Sequence, residues 1–408
     1  MIRVIVSFLP LAVCAFWSIA LVLNIREKGN LAAHRLLLQW AISATLLYTG
    51  HFVFFNHIAQ VIPVSDTIYV ICNLLVYPLY LQYITVLTQG SIKRSRQWLV
   101  WSPSAVFGSA VAVIYMLMSD DDCSRFVDTY LYHNSIKGLT GPAMAQAVVH
   151  NLAKVCFAVG VVWVLVVGIH RIRQYNRLID SIYADNEGKR LFGITTILLL
   201  MLFTGVLSFT VNIIGRFTFI NATIPLALLA CFFSVLLYML CYRGFVQQFS
   251  FVDIAREESE EPVEDEAVVE LPQAVMSTLL QRIDSERLYL QPGLTLADLA
   301  KQLGTNRTTL SKLINEQADM SFAEFINRKR IAYVITLEQA DPKALKQNLA
   351  EQAGYASMRS FYRNYQLYSS STSPIPALKL CEKSLASNTA AKKSTGASMP
   401  PSRQLKSV

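Results

Sequence analysis

Up to about Phe245 the apolar residues come in runs around 20 long, and beyond that point they recur every three or four positions among charged residues. A run of about 20 is the length a helix needs to cross a bilayer core. Apolar residues at helical spacing instead mark helices with one face on a water-soluble core. The pattern predicts an all-α chain, with a seven-helix membrane bundle followed by a C-terminal helical domain. The expected spans are Ile2 to Leu23, Leu36 to His57, Thr67 to Leu87, Trp98 to Met118, Leu152 to Ile169, Leu191 to Ile214 and Thr223 to Tyr242. The first is longer than the apolar core of a signal peptide and is followed by further spans, so it is read as a retained helix.

Basic residues fix the expected orientation. Arg26, Lys28 and Arg35 follow the first span; Lys93, Arg94 and Arg96 follow the third; Arg171, Arg173, Arg177, Lys189 and Arg190 separate the fifth from the sixth. These alternate loops should face the cytoplasm. The N-terminus then lies outside and the C-terminus inside. Expected domains are residues 1–245 for the bundle, 246–271 for an acidic, flexible cytosolic linker, 272–376 for a helical domain, and 377–408 for a disordered basic tail rich in Ser, Ala, Lys and Pro.

Within the helical domain, Thr295 and Asp298 have capping-box spacing, Leu296, Leu299, Ala300 and Leu303 share a face, and Gly304 permits a sharp turn. Asn306 should cap a second helix that buries Leu310, Leu313 and Ile314. Arg307, Thr308, Ser311 and Lys312 are then left exposed, a set suited to base edges and phosphates. Phe322, Phe325, Ile326, Ile331 and Val334 form the stripe of a long connector, beside the basic run Arg328, Lys329 and Arg330. A second pair of helices follows, with Leu349, Ala350, Phe361 and Tyr365 inside, Gly354 at the turn and Ser357 as cap; Met358, Arg359, Ser360, Tyr362 and Arg363 should be exposed. Two reading helices on a rigid connector fit successive major grooves, about 34 Å apart.

The stretch from Ser321 to Ile331 fits Ser-Phe-x-x-Phe-Ile-Asn-x-x-Arg-Ile, and Ala-Glu-Gln-Ala-Gly-Tyr-x-Ser and Phe-x-Arg follow it. Together these resemble the DNA-binding domain of the AraC/XylS family of bacterial transcription regulators, over about Val275 to Pro374. The resemblance implies a double helix-turn-helix in which Arg307, Thr308, Ser311 and Lys312 belong to the first reading helix. Met358, Arg359, Ser360, Tyr362 and Arg363 belong to the second. The chain departs from the family at Lys346, where an apolar residue is usual, and at Ser369 to Ser373, which lacks the usual Gly.

Composition adjusts this picture only in places. The net charge of +8 is partly a matter of membrane topology, and 53% hydrophobic with 16% charged residues does not suit a wholly soluble protein. Seven cysteines without a CxxC pair give no zinc or disulfide framework. No nucleophile–base spacing, phosphate loop or metal pattern is present, so neither an enzyme nor a cofactor is expected. Polar residues inside spans are candidate sites because they are expensive there: His51, His57, Asn73, Asn212, and above all His150, Asn151 and Lys154, whose spacing offers one helix face to an anionic ligand from outside. The alternative is that Lys154 snorkels and the amides bond neighbouring helices. Trp98, Trp101, Tyr115 and Tyr242 read as interface anchors.

The expected function is that of a membrane-tethered, sequence-specific regulator in the plasma membrane of a bacterium. Its partners would be double-stranded DNA, the membrane, an unknown signal ligand and a second copy in a homodimer. The competing readings are a transporter or channel with a regulatory DNA-binding tail, and an anchor that binds no ligand. No carboxylate chain crosses the spans as coupled transport would require.

Overall fold

The computed structural model describes residues 2–24, 30–92, 97–214, 223–247, 249–260 and 272–369. The described residues are helical apart from turns and one isolated bridge between Tyr183 and Thr295. The chain divides into two compact units. The first comprises residues 1–176 and 188–261, the second residues 177–187 and 262–408.

The first unit contains α1 (Ile2–Leu23), α2 (Leu31–Phe55), α3 (Ile62–Gln89), α4 (Trp98–Leu117), the short α5 (Asp120–Phe126), most of α6 (Gly141–Ile182), α7 (Phe192–Ile214), α8 (Thr223–Val246) and α9 (Phe251–Glu260). Six described helices are long and apolar enough to cross a membrane: α1, α2, α3, α4, α6 and α8. At the position of the expected sixth span, the described apolar stretch Gly193–Leu207 is shorter than that length. Helix α3 packs on α2 and α4, and α1 on α2 and α8. Leu79, Tyr80 and Ile84 on α3 are fully buried.

Between apolar helices, polar contacts are worth most where no water competes. Ser18 and Thr45 hydroxyls lie 3.2 Å apart, Asn56 donates to Ser7 at 3.0 Å, and Tyr77 donates to the Met201 carbonyl at 2.9 Å.

Several boundaries differ from the sequence expectation. The second span stops at Phe55, and His57 lies beyond it at φ 53°, stacked on Tyr132. The segment after Met118 is an ordered cap. Ser119 caps α5, whose first turn holds Asp120, Asp121 and Asp122, and carboxylates there oppose the positive end of the helix dipole. A π-helical turn, Val127–Tyr132, follows and packs Tyr130, Leu131 and Tyr132 with Val53, Phe54, Ile62 and Phe126. Helix α6 is far longer than the predicted fifth span: its 42 residues extend about 63 Å at 1.5 Å per residue, with no proline after Pro142 to interrupt it.

The first part of the acidic segment is helical as well. Ile254 is buried, and Asp253 accepts from both the backbone N–H and the hydroxyl of Ser250, which starts α9. The rest of the expected linker, residues 261–271, and the expected basic tail lie outside the described residues.

The second unit contains α10 (Gln273–Ser285), α11 (Leu296–Leu303), α12 (Arg307–Ala318), α13 (Phe322–Ala340), α14 (Lys346–Gln352) and α15 (Met358–Tyr368). It has two cores. Leu279, Ile283, Leu299, Leu310, Leu313 and Ile314 form one around Phe322, Phe325 and Ile326 of α13; Leu349, Ala350, Ala353, Tyr355 and Phe361 form the other around Ile331 and Val334 of the same helix. One apolar stripe, read along 19 residues, therefore serves both helix pairs.

Candidate functional site

The first helix pair is built as its sequence requires. Thr295 and Asp298 cap reciprocally: the Asp298 N–H donates to Thr295 Oγ1 at 3.1 Å, and the Thr295 N–H donates to Asp298 Oδ2 at 3.1 Å. Gly304, at φ 68°, ends α11, and Asn306 Oδ1 accepts from the Thr309 N–H at 2.7 Å to start α12. Leu310, Leu313 and Ile314 face the core. Thr308 and Lys312 are exposed, and Arg307 and Ser311 are partly exposed beside them. The four residues expected on the first reading helix thus share its outer side.

In the second pair, Ser357 Oγ accepts from the Ser360 N–H at 3.1 Å and begins α15. Arg359 and Tyr362 are exposed, while Met358 and Arg363 are half-buried. Ser360 differs from expectation: only 1% of its surface is accessible, and its hydroxyl donates to Asp185 Oδ1 at 3.0 Å. The cause is a segment that sequence reasoning assigned to a loop between spans. Residues 177–187 belong to the second unit. Tyr183 bridges to Thr295, and the Ala184 N–H donates to the Leu294 carbonyl at 3.1 Å. Ala184 is fully buried in the first core. Asn186 Oδ1 accepts from Arg363 Nη2 at 2.6 Å, and Glu187 meets the Ser357 hydroxyl and lies 3.6 Å from Arg359 Nε.

The basic run of α13 is used inside the domain. Arg330 has no accessible surface; its Nε donates to the Tyr289 carbonyl at 2.7 Å, its Nη2 donates to the Gln291 carbonyl at 2.6 Å, and its guanidinium lies over the Tyr355 ring. Burial lowers its pKa, and burial raises that of the Tyr355 phenol, against the opposing pull of Arg330. Arg328 pairs with Glu324 one turn back, and Lys329 with Asp284. Asn327 Nδ2 donates to the carbonyls of Ala184 and Ala323, both at 2.7 Å, and Asn327 Oδ1 accepts from Asn364 at 3.2 Å. Asn327 therefore joins the connector, α15 and the 177–187 segment.

Lys346, where the chain departs from the family pattern, is also accounted for. Its ammonium pairs with Glu338 and sits 4.1 Å from the centre of the Tyr365 ring, while the Tyr365 hydroxyl donates to Glu338 at 2.8 Å. A polar tie between α13, α14 and α15 thus stands where the resemblance led to the expectation of an apolar side chain.

In the first unit, His150, Asn151 and Lys154 do come together, each with a partner. His150 is buried, its Nε2 2.8 Å from Asp66 Oδ2 and its Nδ1 2.9 Å from the Gln146 carbonyl. Asn151 accepts from the Tyr130 hydroxyl at 2.7 Å; Lys154 donates to Asn134 at 3.0 Å and lies over the Tyr130 ring. Tyr115, expected as an interface anchor, donates to Asp66 at 2.9 Å. Sequence reasoning missed Asp66 because it fell one residue before the expected third span, whereas α3 begins at Ile62.

Asp66, His150 and Lys154 border a cavity of about 50 Å³. Tyr69, Asn73 and Phe157 line both it and a larger cavity of about 170 Å³, which Trp40, Tyr48, His51 and Tyr77 also line. Trp40 Nε1 is buried without a hydrogen-bond partner.

Residues 299–372 match the family model described as a helix-turn-helix domain. No curated protein and no solved structure matches the chain. The match supports a DNA-binding helix-turn-helix of the AraC type in this part of the chain.

Proposed function

We propose that the protein is a membrane-tethered, sequence-specific transcription regulator whose membrane unit perceives a signal. The observation that carries this reading is that a helix-turn-helix domain at 299–372 shares one chain with six helices long and apolar enough to cross a membrane. Phosphate contacts set register and base contacts set sequence preference. In this reading Arg307, Thr308, Ser311 and Lys312 of α12 enter one major groove, and Met358, Arg359, Ser360, Tyr362 and Arg363 of α15 enter the next. The two helices are held by α13, which contributes to both cores. Seven spans, with the N-terminus outside, put this domain in the cytoplasm of a bacterial cell. Confinement to the membrane raises the effective concentration of a second copy, which favours pairing on repeated DNA sites.

The sensing half of the proposal is supported by the two cavities that share Tyr69, Asn73 and Phe157. The smaller is bordered by His150 and Lys154, which with Asn151 form the polar cluster proposed to receive the signal ligand. A ligand that binds one arrangement of the bundle better than another shifts the population toward it. The test is DNA binding by full-length protein in lipid nanodiscs, with duplexes selected from a random pool. Arg307→Ala and Arg359→Ala should each weaken binding to the selected sequence, with Arg359→Ala also changing base preference at one position. Unchanged affinity and preference in both would remove the assignment.

A further inference from the structure

Helix α15 carries the second set of DNA-reading side chains, and a short acidic segment of the same chain covers part of that set. Asp185 accepts from Ser360, Asn186 accepts from Arg363, and Glu187 meets Ser357 and lies against Arg359. These hydroxyls and guanidinium groups are the kinds of donor that hold a duplex backbone. In this arrangement they face two carboxylates and an amide oxygen instead. A duplex edge reaches Ser360 only if Asp185 leaves, and phosphates brought to this face would meet the like charges of Asp185 and Glu187.

On helix α12, by contrast, Thr308 and Lys312 are exposed, with Lys312 3.9 Å from Glu316 one turn on. The segment also divides into two parts of different character. Tyr183 and Ala184 form its anchor, held by a backbone bridge, by burial of Ala184 and by Asn327. Asp185 to Glu187 make side-chain contacts to α15, with no backbone hydrogen bond to it among the described residues. Directly before the anchor lies Ile182, the last residue of α6.

We propose that Asp185, Asn186 and Glu187 form an autoinhibitory latch that occupies part of the DNA-reading face of α15, at Ser360 and Arg363, and must withdraw before the second helix pair engages a duplex. The latch rests on the reading of α15 as a DNA-reading helix. Full affinity then requires both helix pairs, and the closed chain holds DNA through α12 alone. Apparent affinity is the intrinsic affinity scaled by the open fraction, so a chain closed about nine-tenths of the time gains about tenfold when the latch is removed.

The test uses the full chain in lipid nanodiscs and short random-sequence duplexes as the probe. Asp185→Asn with Glu187→Gln, which removes the charges at nearly constant volume, should bind about tenfold more tightly than wild type. Adding Arg359→Ala should cancel most of that gain. Equal or weaker binding, with amide exchange of α13 and α15 as in wild type, overturns the latch.

A second arm is independent of any change in folding. In Ser357→Cys with Glu187→Cys, molecules whose disulfide between the two introduced thiols is verified by mass spectrometry are measured oxidised and reduced beside wild type under the same oxidant. Weaker binding when oxidised, recovered on reduction, supports the latch; equal binding in both forms overturns it. If no form binds duplex, reduced and charge-neutral chains included, what fails is the reading of α15 as a DNA-reading helix.

Discussion

Arg330 shows what a buried cation does when its partners are backbone rather than carboxylate. It has no accessible surface, and its two hydrogen bonds to the Tyr289 and Gln291 carbonyls fix the turn between α10 and α11 against α13. Removing the guanidinium leaves buried acceptors unsatisfied, at about 1–3 kcal/mol each. Arg330→Ala should therefore destabilise the second unit by at least about 2 kcal/mol, and Arg330→Lys should recover only part, because an ammonium offers all its donors from one atom where Arg330 reaches the two carbonyls from separate nitrogens. Amide exchange along α11 and α13 reports this directly; wild-type protection in Arg330→Ala would show that the carbonyls find other donors. Arg307 is the opposite case, a cation on the outer side of α12. If it contacts one phosphate, Arg307→Ala should lower the slope of log affinity against log salt by about 0.9. An unchanged slope would remove the phosphate contact.

At the scale of elements, two glycines separate backbone freedom from packing. Gly304 and Gly354 both have positive φ, 68° and 76°. A Cβ at Gly304 would meet nothing within 4 Å, whereas one at Gly354 would lie 2.1 Å from the Leu290 carbonyl oxygen. Gly304→Ala should cost about 1–2 kcal/mol from the left-handed backbone alone. Gly354→Ala should cost distinctly more and loosen the second core, as measured by urea unfolding with α15 exchange as the local readout. Equal costs would mean that the Leu290 turn yields freely.

These turns, the caps at Thr295, Asn306 and Ser357, and the two-core stripe of α13 were legible in the sequence because each is a local rule of a few residues. The ordered cap after Met118 and the docking of residues 183–187 were not. They depend on contacts distant in sequence, such as Asn327 with Ala184 or Ser360 with Asp185. Asn327 and Arg330 were visible only as members of a motif, and both are buried inside the domain rather than exposed as a polar or basic residue in isolation would suggest. His150, Asn151 and Lys154 of the first unit were legible as polar interruptions of an apolar run, but Asp66, the partner of His150, was hidden by a span boundary placed too late.

For the whole molecule, the orientation and the DNA-binding role stand or fall separately. Reporter fusions or cysteine accessibility in intact cells should place the N-terminus outside and the region after α8 inside; the reverse would separate the helix-turn-helix domain from any chromosome. Exchanging α1 to α8 for an unrelated anchor that retains residues 177–187 between two of its helices, since these residues belong to the second unit, should leave DNA binding intact and abolish its response to the signal. A retained response would reduce the bundle to a tether. The most direct measurement is genome-wide mapping of the DNA bound by the full-length protein in its own membrane, alongside a chain carrying both Arg307→Ala and Arg359→Ala. The account predicts a small set of discrete sites sharing a repeated sequence element, lost in the double variant. No enriched sites, or the same sites in both chains, would contradict it.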